Sequence, residues 1–72
     1  MQTLHTADTK RHGIPKMVSV KELSELIGVH VHTLYNWRHK GKGPPSFRLC
    51  GCVKYVVEDV AAWVEEERRA KP

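Results

Sequence analysis

The side chains with the strongest chemical character in this chain are cations, and they share one stretch that contains no acid. Between Glu25 and Glu58 the sequence has no Asp or Glu. The same stretch carries five Lys or Arg residues and three histidines: Arg38, Lys40, Lys42, Arg48 and Lys54, with His30, His32 and His39. Charge sorted in this way gives a small protein one positive face, which is typical of a protein that binds duplex DNA.

The cysteines and histidines suggest a second kind of chemistry, metal binding, but the pattern is incomplete. Structural zinc sites use two Cys or His pairs, whereas Cys50-Gly51-Cys52 supplies one. A disulfide between residues two apart would be strained. The N-terminus shows no signal peptide, so we expect a reducing, cytoplasmic location, on the nucleoid when the protein is bound to DNA. The expectation is reduced thiols without metal or cofactor, and a thiol or metal sensor is a minor alternative.

Other functions find less support in the residues. The 72 residues contain no Ser/His/Asp pattern, no Gly-rich phosphate loop and no carboxylate pair expected to share a cleft. No apolar run approaches the roughly 18 residues of a membrane span. The sequence therefore predicts one small binding domain that is neither an enzyme nor a membrane protein.

The chain divides into a flexible tail, residues 1–16, and a folded domain, residues 17–70. The tail has no apolar periodicity. Ser19 and Glu22 then form a capping-box pattern, and Gly28 is a helix-ending residue, so we predict a first helix from about 19 to 27. Its predicted buried stripe consists of Val20, Leu23 and Ile27, with Leu26 alongside.

A second helix is predicted from His30 or Val31 to about Lys40, ended by Gly41. At 100° per residue its apolar side chains fall within an arc of about 120°, and the polar ones lie opposite. The inner arc holds Val31, Leu34, Trp37 and Arg38; the outer face holds His32, Asn36 and His39, with Tyr35 on the border. Because His30 stands where a good N-cap is expected, the start of this helix is predicted to be weakly capped.

The sequence after the second helix predicts a β-hairpin, the wing, and a closing helix. Ser46 to Val57 is rich in strand formers around Gly51 and indicates a tight two-stranded hairpin. A last helix from Glu58 to about Arg69 would bury Val57, Val60, Trp63 and Val64. The predicted fold class is mainly α with a small β-hairpin, a winged helix-turn-helix.

This arrangement assigns candidate DNA contacts. The outer face of the second helix can reach base edges, and the basic residues around it can bind phosphate. Candidate base contacts are His32, Tyr35 and Asn36. Candidate phosphate contacts are His30, Thr33, Arg38, His39, Lys40, Lys42, Arg48 and Lys54.

Val18 to Glu66, 49 of the 72 residues, resembles the small excisionase family of phages and integrative elements. These are winged helix-turn-helix proteins related to the DNA-binding half of MerR-type regulators. Two places depart from the family pattern: His30-Val31-His32 replaces Ser and basic residues, and Cys50-Gly51-Cys52 replaces a Gly pair or polar residues. The matching features are Val20 with Glu22-Leu23, Leu26 with Gly28-Val29, Thr33-Leu34-Tyr35 before Trp37, Gly41, Gly51 before Lys54-Tyr55, and Asp59 with Ala62-Trp63.

The resemblance implies a recombination directionality factor, an accessory protein without catalytic residues. Such proteins bind repeated sites beside an attachment site, often cooperatively, and bend the DNA so that a phage-type integrase releases the element. Two rival functions stay open. A transcriptional regulator of a mobile element has the same fold, and a protein-interaction module would act by docking integrase with little DNA affinity of its own.

Overall fold

A computed structural model describes residues 13–70 of the chain. Its elements are β1 (Met17–Ser19), α1 (Val20–Ile27), α2 (Val31–Lys40), β2 (Phe47–Leu49), β3 (Cys52–Val56) and α3 (Val57–Ala70). Three helices and a small antiparallel sheet form a winged helix-turn-helix, so the predicted fold class is confirmed. Most of the predicted tail, residues 1–12, lies outside the described residues; residues 13–16 are exposed and belong to no helix or strand.

The sheet has three strands, and the predicted two-stranded hairpin was therefore incomplete. β3 is the central strand, with β2 on one side and β1 on the other. β1 places Val18 opposite Tyr55, and the Lys16 carbonyl accepts a 2.9 Å hydrogen bond from the Val57 N–H. A strand of three residues is too short to show an alternating pattern, which explains why the sequence did not predict it.

The predicted capping box at the start of α1 is confirmed. Ser19 Oγ accepts from the Glu22 N–H at 3.1 Å, and Glu22 Oε1 accepts from the Ser19 N–H at 2.8 Å. The hydrogen bonds from Ser19, and secondarily the positive charges of Lys54 and Lys16, lower the pKa of Glu22 below its ordinary value. Satisfying these N–H groups fixes the helix start directly after β1.

The core lies between the sheet and the three helices. Tyr55, Leu23 and Leu34 are its largest fully buried side chains, and burial raises the pKa of Tyr55. The buried apolar set is Val18, Val20, Leu23, Leu34, Tyr55 and Val60.

Two residues predicted to be buried are exposed. Leu26 is 65% exposed because α1 buries only a narrow stripe, centred on Leu23, against α2 and the sheet. Val64 is 36% exposed because the second half of α3 is exposed along its length. Trp63 is half-buried and packs against Trp37 with ring centroids 5.8 Å apart.

The loop after α2 folds back on that helix. The N–H groups of Gly41 and Lys42 donate to the carbonyls of Arg38 and Trp37, which closes the last turn. Gly43 has a φ of 79°, and a Cβ there would stand 2.8 Å from Trp37 Cε3. Glycine is therefore required where the chain passes the indole ring and leads into the wing.

Candidate nucleic-acid interface

The start of α2 is capped by a histidine. His30 Nδ1 accepts a 3.1 Å hydrogen bond from the His32 N–H, so the prediction of a weakly capped helix start was wrong. Because Nδ1 is the acceptor, a neutral His30 ring carries its proton on Nε2. That exposed N–H can donate to an oxygen outside the protein, as a phosphate contact requires.

The same helix start carries a pair of stacked imidazoles. The rings of His30 and His32 lie 5.2 Å apart between centroids, with 17° between their planes. No acidic residue occupies the first turn of α2. Free N–H groups and the helix dipole favour an anion at this end.

The predicted outer face of α2 is exposed. His32, Asn36 and His39 are all exposed, and Tyr35 is 49% exposed. The Asn36 amide can donate to and accept from the adenine edge in the major groove, which is the geometry of a base contact. Lys40 and Lys42 are exposed at the C-terminal end of this helix, where they can reach the phosphate backbone.

The structure joins this face of α2 to the wing. Tyr35 of α2 and Arg48 of β2 line one groove. The start of α1 lines the same groove and adds Lys21, which was not among the predicted DNA contacts. Lys21 directly follows the buried Val20, so the helical period places it on the outer side of α1. The sequence alone could therefore have indicated Lys21 as an exposed cation.

The two wing cations lie on opposite faces of the sheet. Arg48 pairs with Val53, on the same face as Tyr55 and the helices. Lys54 pairs with Phe47 and with Ser19, on the other face, and its charge acts on Glu22. Side chains alternate along a strand, so the structure brings Arg48 to the α2 groove and directs Lys54 away from it.

Arg38 and Thr33 are half-buried rather than part of the outer face. Arg38 Nε donates to Ser46 Oγ at 2.9 Å, which ties α2 to the segment that enters the wing. Its charge also opposes the rise in the pKa of Tyr55, so the guanidinium lies near the buried phenol. A phosphate contact by either residue stays a prediction, and Arg38 has a structural role in addition.

Within residues 13–70, no group of three or more His, Cys, Asp or Glu side chains could hold a metal ion. Cys50 and Cys52 are free thiols, both exposed. No helix in this part of the chain is long and apolar enough to cross a bilayer.

The exposed polar face of α2, the wing and the basic groove between them define a helix-turn-helix DNA-binding protein. A family model described as a helix-turn-helix domain matches residues 17–68, from β1 into the last turns of α3. The chain belongs to this helix-turn-helix family, whose members are generally non-enzymatic. No curated protein and no solved structure matches the chain.

Proposed function

We propose that this protein binds and bends duplex DNA at specific sites and acts as an excisionase, a recombination directionality factor for an integrated phage or mobile element. The observation that carries the DNA-binding part is the exposed polar face of α2, which borders Arg48 of the wing across one groove. The excision role is supported by the resemblance of Val18 to Glu66 and by a helix-turn-helix family that includes excisionase-like proteins.

In the proposed complex α2 enters the major groove. Its ten residues span about 15 Å, and a helix fits that groove in width. Asn36 reads a base edge, with His32 and Tyr35 beside it on the same exposed surface. These three residues supply the sequence preference, since contacts to base edges and not to phosphates carry sequence information.

Phosphate contacts on both sides of α2 set the register. Arg48 and Lys21 hold the strand that passes the wing and the start of α1. At the N-terminal end of α2 the DNA backbone is held by His30, which stacks on His32. At the C-terminal end it is held by the exposed His39, Lys40 and Lys42. A bend would bring more of these cations within reach of the backbone, and such added contacts can repay the energy of deforming the DNA.

Excision further requires repeated sites, neighbouring copies of the protein and the integrase. We propose that copies bind direct repeats beside an attachment site cooperatively, and that the bent complex recruits a phage-type integrase. A transcriptional regulator would use the same surface, and it is the second candidate because every contact named above serves it equally.

A footprint together with an excision assay tests the proposal. We expect wild-type protein to protect direct repeats flanking the attachment core and to stimulate release of the element by its integrase. Asn36→Ala is the matched control, because it removes an exposed side chain and should lose both effects without unfolding. Protection confined to a promoter, with no stimulation of excision, would contradict the excisionase role and leave the regulator.

A further inference from the structure

The tip of the wing carries two thiols that have no role in the proposed DNA binding. Cys50 and Gly51 form the two-residue loop between β2 and β3, and Cys52 pairs with Leu49 at its base. Both cysteines are free and exposed, so neither contributes to the core. Their sulfur atoms are open to reagents in solution.

The loop gives no conformational reason for a cysteine at its first position. Cys50 has a φ of 53° and Gly51 a φ of 82°, which is the pattern of a type I′ turn. Such turns favour Asn, Asp or Gly first, and Cys50 is the one non-glycine residue with positive φ within 13–70. A side chain placed there against backbone preference points to chemistry of the thiol itself.

The loop that carries the thiols borders the proposed DNA surface and lies in a basic environment, with the Cys52 side chain on the same face of the hairpin as Lys54. Gly51 and Cys52 line the same groove as Tyr35 and Arg48. Arg48 and Lys54 are each two residues from a cysteine, and Lys21 lines the same groove. Positive surroundings concentrate anionic reagents, and a group attached here would occupy space that the DNA backbone needs.

We propose that Cys50 and Cys52 form a covalent modification site that takes anionic low-molecular-weight disulfides, and that the adduct releases DNA. A cysteine thiolate attacks one sulfur of the disulfide, a new S–S bond joins it to the protein, and the original S–S bond breaks. The departing thiolate takes up the proton that the cysteine lost, so one thiol is released for each adduct formed. Excess thiol reverses the exchange. The release step, unlike the modification, rests on the proposed DNA binding.

Reagents of different charge test the modification. The probes are the anionic oxidised glutathione, the cationic cystamine and the neutral 2-hydroxyethyl disulfide. The rate with the neutral reagent gives the intrinsic reactivity of each thiol, by which the other two rates are divided. The matched control is Cys50→Ser/Cys52→Ser/Ala61→Cys, which moves a thiol to the exposed face of α3 near Glu58 and Glu65. Intact-mass kinetics should show glutathione favouring the wing by about threefold or more and cystamine favouring the α3 thiol. The modification site would be overturned if the wing thiols and the α3 thiol reacted with the charged disulfides at equal normalised rates, or if the wing formed no adduct.

Duplex affinity before and after modification tests the release. Glutathionylated wild type should bind DNA on the order of tenfold more weakly, and dithiothreitol should restore the affinity. Cys50→Ser/Cys52→Ser should bind like reduced wild type and ignore the reagent. A full adduct without loss of affinity would overturn the release. If reduced wild type binds no duplex, the proposed DNA binding fails, the release is refuted with it, and the mass kinetics alone decide the modification site.

Discussion

α1 and α2 are neighbouring helices of similar length that both end at a left-handed glycine but differ in how they begin and in what they bury. α1 begins with a capping box and an acidic residue, and buries Val20 and Leu23. α2 begins with a histidine cap and no acid, buries Leu34 alone, and ends with Arg38, His39 and Lys40. The first helix contributes two buried side chains to the core. The second contributes one buried side chain, with Val31 and Trp37 packed partly buried against the core, and half of its ten residues are exposed.

A domain this small can separate stability from binding by using different side chains for each. A chain of 72 residues buries little surface, so few side chains can be used for both purposes. In α2 the buried and exposed positions alternate with the helical period, and the exposed set is polar or basic. Mutations should therefore affect either folding or DNA affinity, according to which face of α2 they change.

The largest expected effect is on folding. Leu34→Ala should lower the free energy of unfolding by about 2–5 kcal/mol, because the side chain is 1% exposed and leaves a cavity. Urea denaturation measures it. Leu26→Ala is the matched control: at 65% exposure it should change stability by no more than about 0.5 kcal/mol. Similar losses at both positions would show that Leu34 does not anchor α2.

The next effect is on recognition. Asn36→Ala should weaken binding to a duplex selected from a random pool by about 1–3 kcal/mol, because a base-edge pair is lost. Binding to unselected duplex and the melting temperature should stay as in wild type, since Asn36 is exposed. Equal losses on selected and unselected DNA would remove Asn36 from the base contacts.

A smaller effect separates the two faces of the wing. Arg48→Ala should reduce the slope of log affinity against log salt by about one unit, as loss of one phosphate contact requires. Lys54→Ala should reduce it less, because Lys54 lies on the opposite face beside Glu22. Filter binding across a salt series measures both. A larger change at Lys54 than at Arg48 would contradict the proposed orientation of the wing.

The smallest effect concerns the α1 cap. The pKa of Glu22 is lowered because the folded state favours its carboxylate form. The carboxylate therefore stabilises the fold above the ordinary pKa, and this stabilisation is lost as the pH falls through the folded-state pKa. Glu22→Gln keeps an oxygen acceptor without the charge and should flatten the acid side of the stability profile. Denaturation midpoints from neutral to acidic pH measure it; an unchanged profile would show that the charge of Glu22 does not contribute.

The elements with local signals were predictable from sequence. The capping box at Ser19 and the glycines after both helices fixed α1 and α2 to within a residue. The outer face of α2 followed from the helical period alone. β1 could not be predicted, because its pairing with β3 joins residues far apart in the chain and its three residues carry no pattern.

The exposed face of α2 was easier to predict from sequence than the geometry of the wing and of the loop after α2. The sequence predicts phosphate contacts for both Arg48 and Lys54, although a loop at Cys50-Gly51 puts the two side chains on opposite faces of the hairpin. Burial of Arg38 against Ser46 depends on how the loop after α2 returns, which no local pattern shows. The histidine cap was missed because imidazole is not among the preferred capping groups.

A salt series with wild-type protein on selected and unselected duplex DNA tests whether the protein recognises DNA through α2 and the wing. If α2 reads bases while the wing and helix ends hold phosphates, the selected duplex will bind more tightly at every salt concentration. Affinity for both will then fall steeply with salt, by about 0.9 log units per log unit of salt for each phosphate contacted. Weak, salt-insensitive binding without preference between the two duplexes would contradict the DNA-binding account.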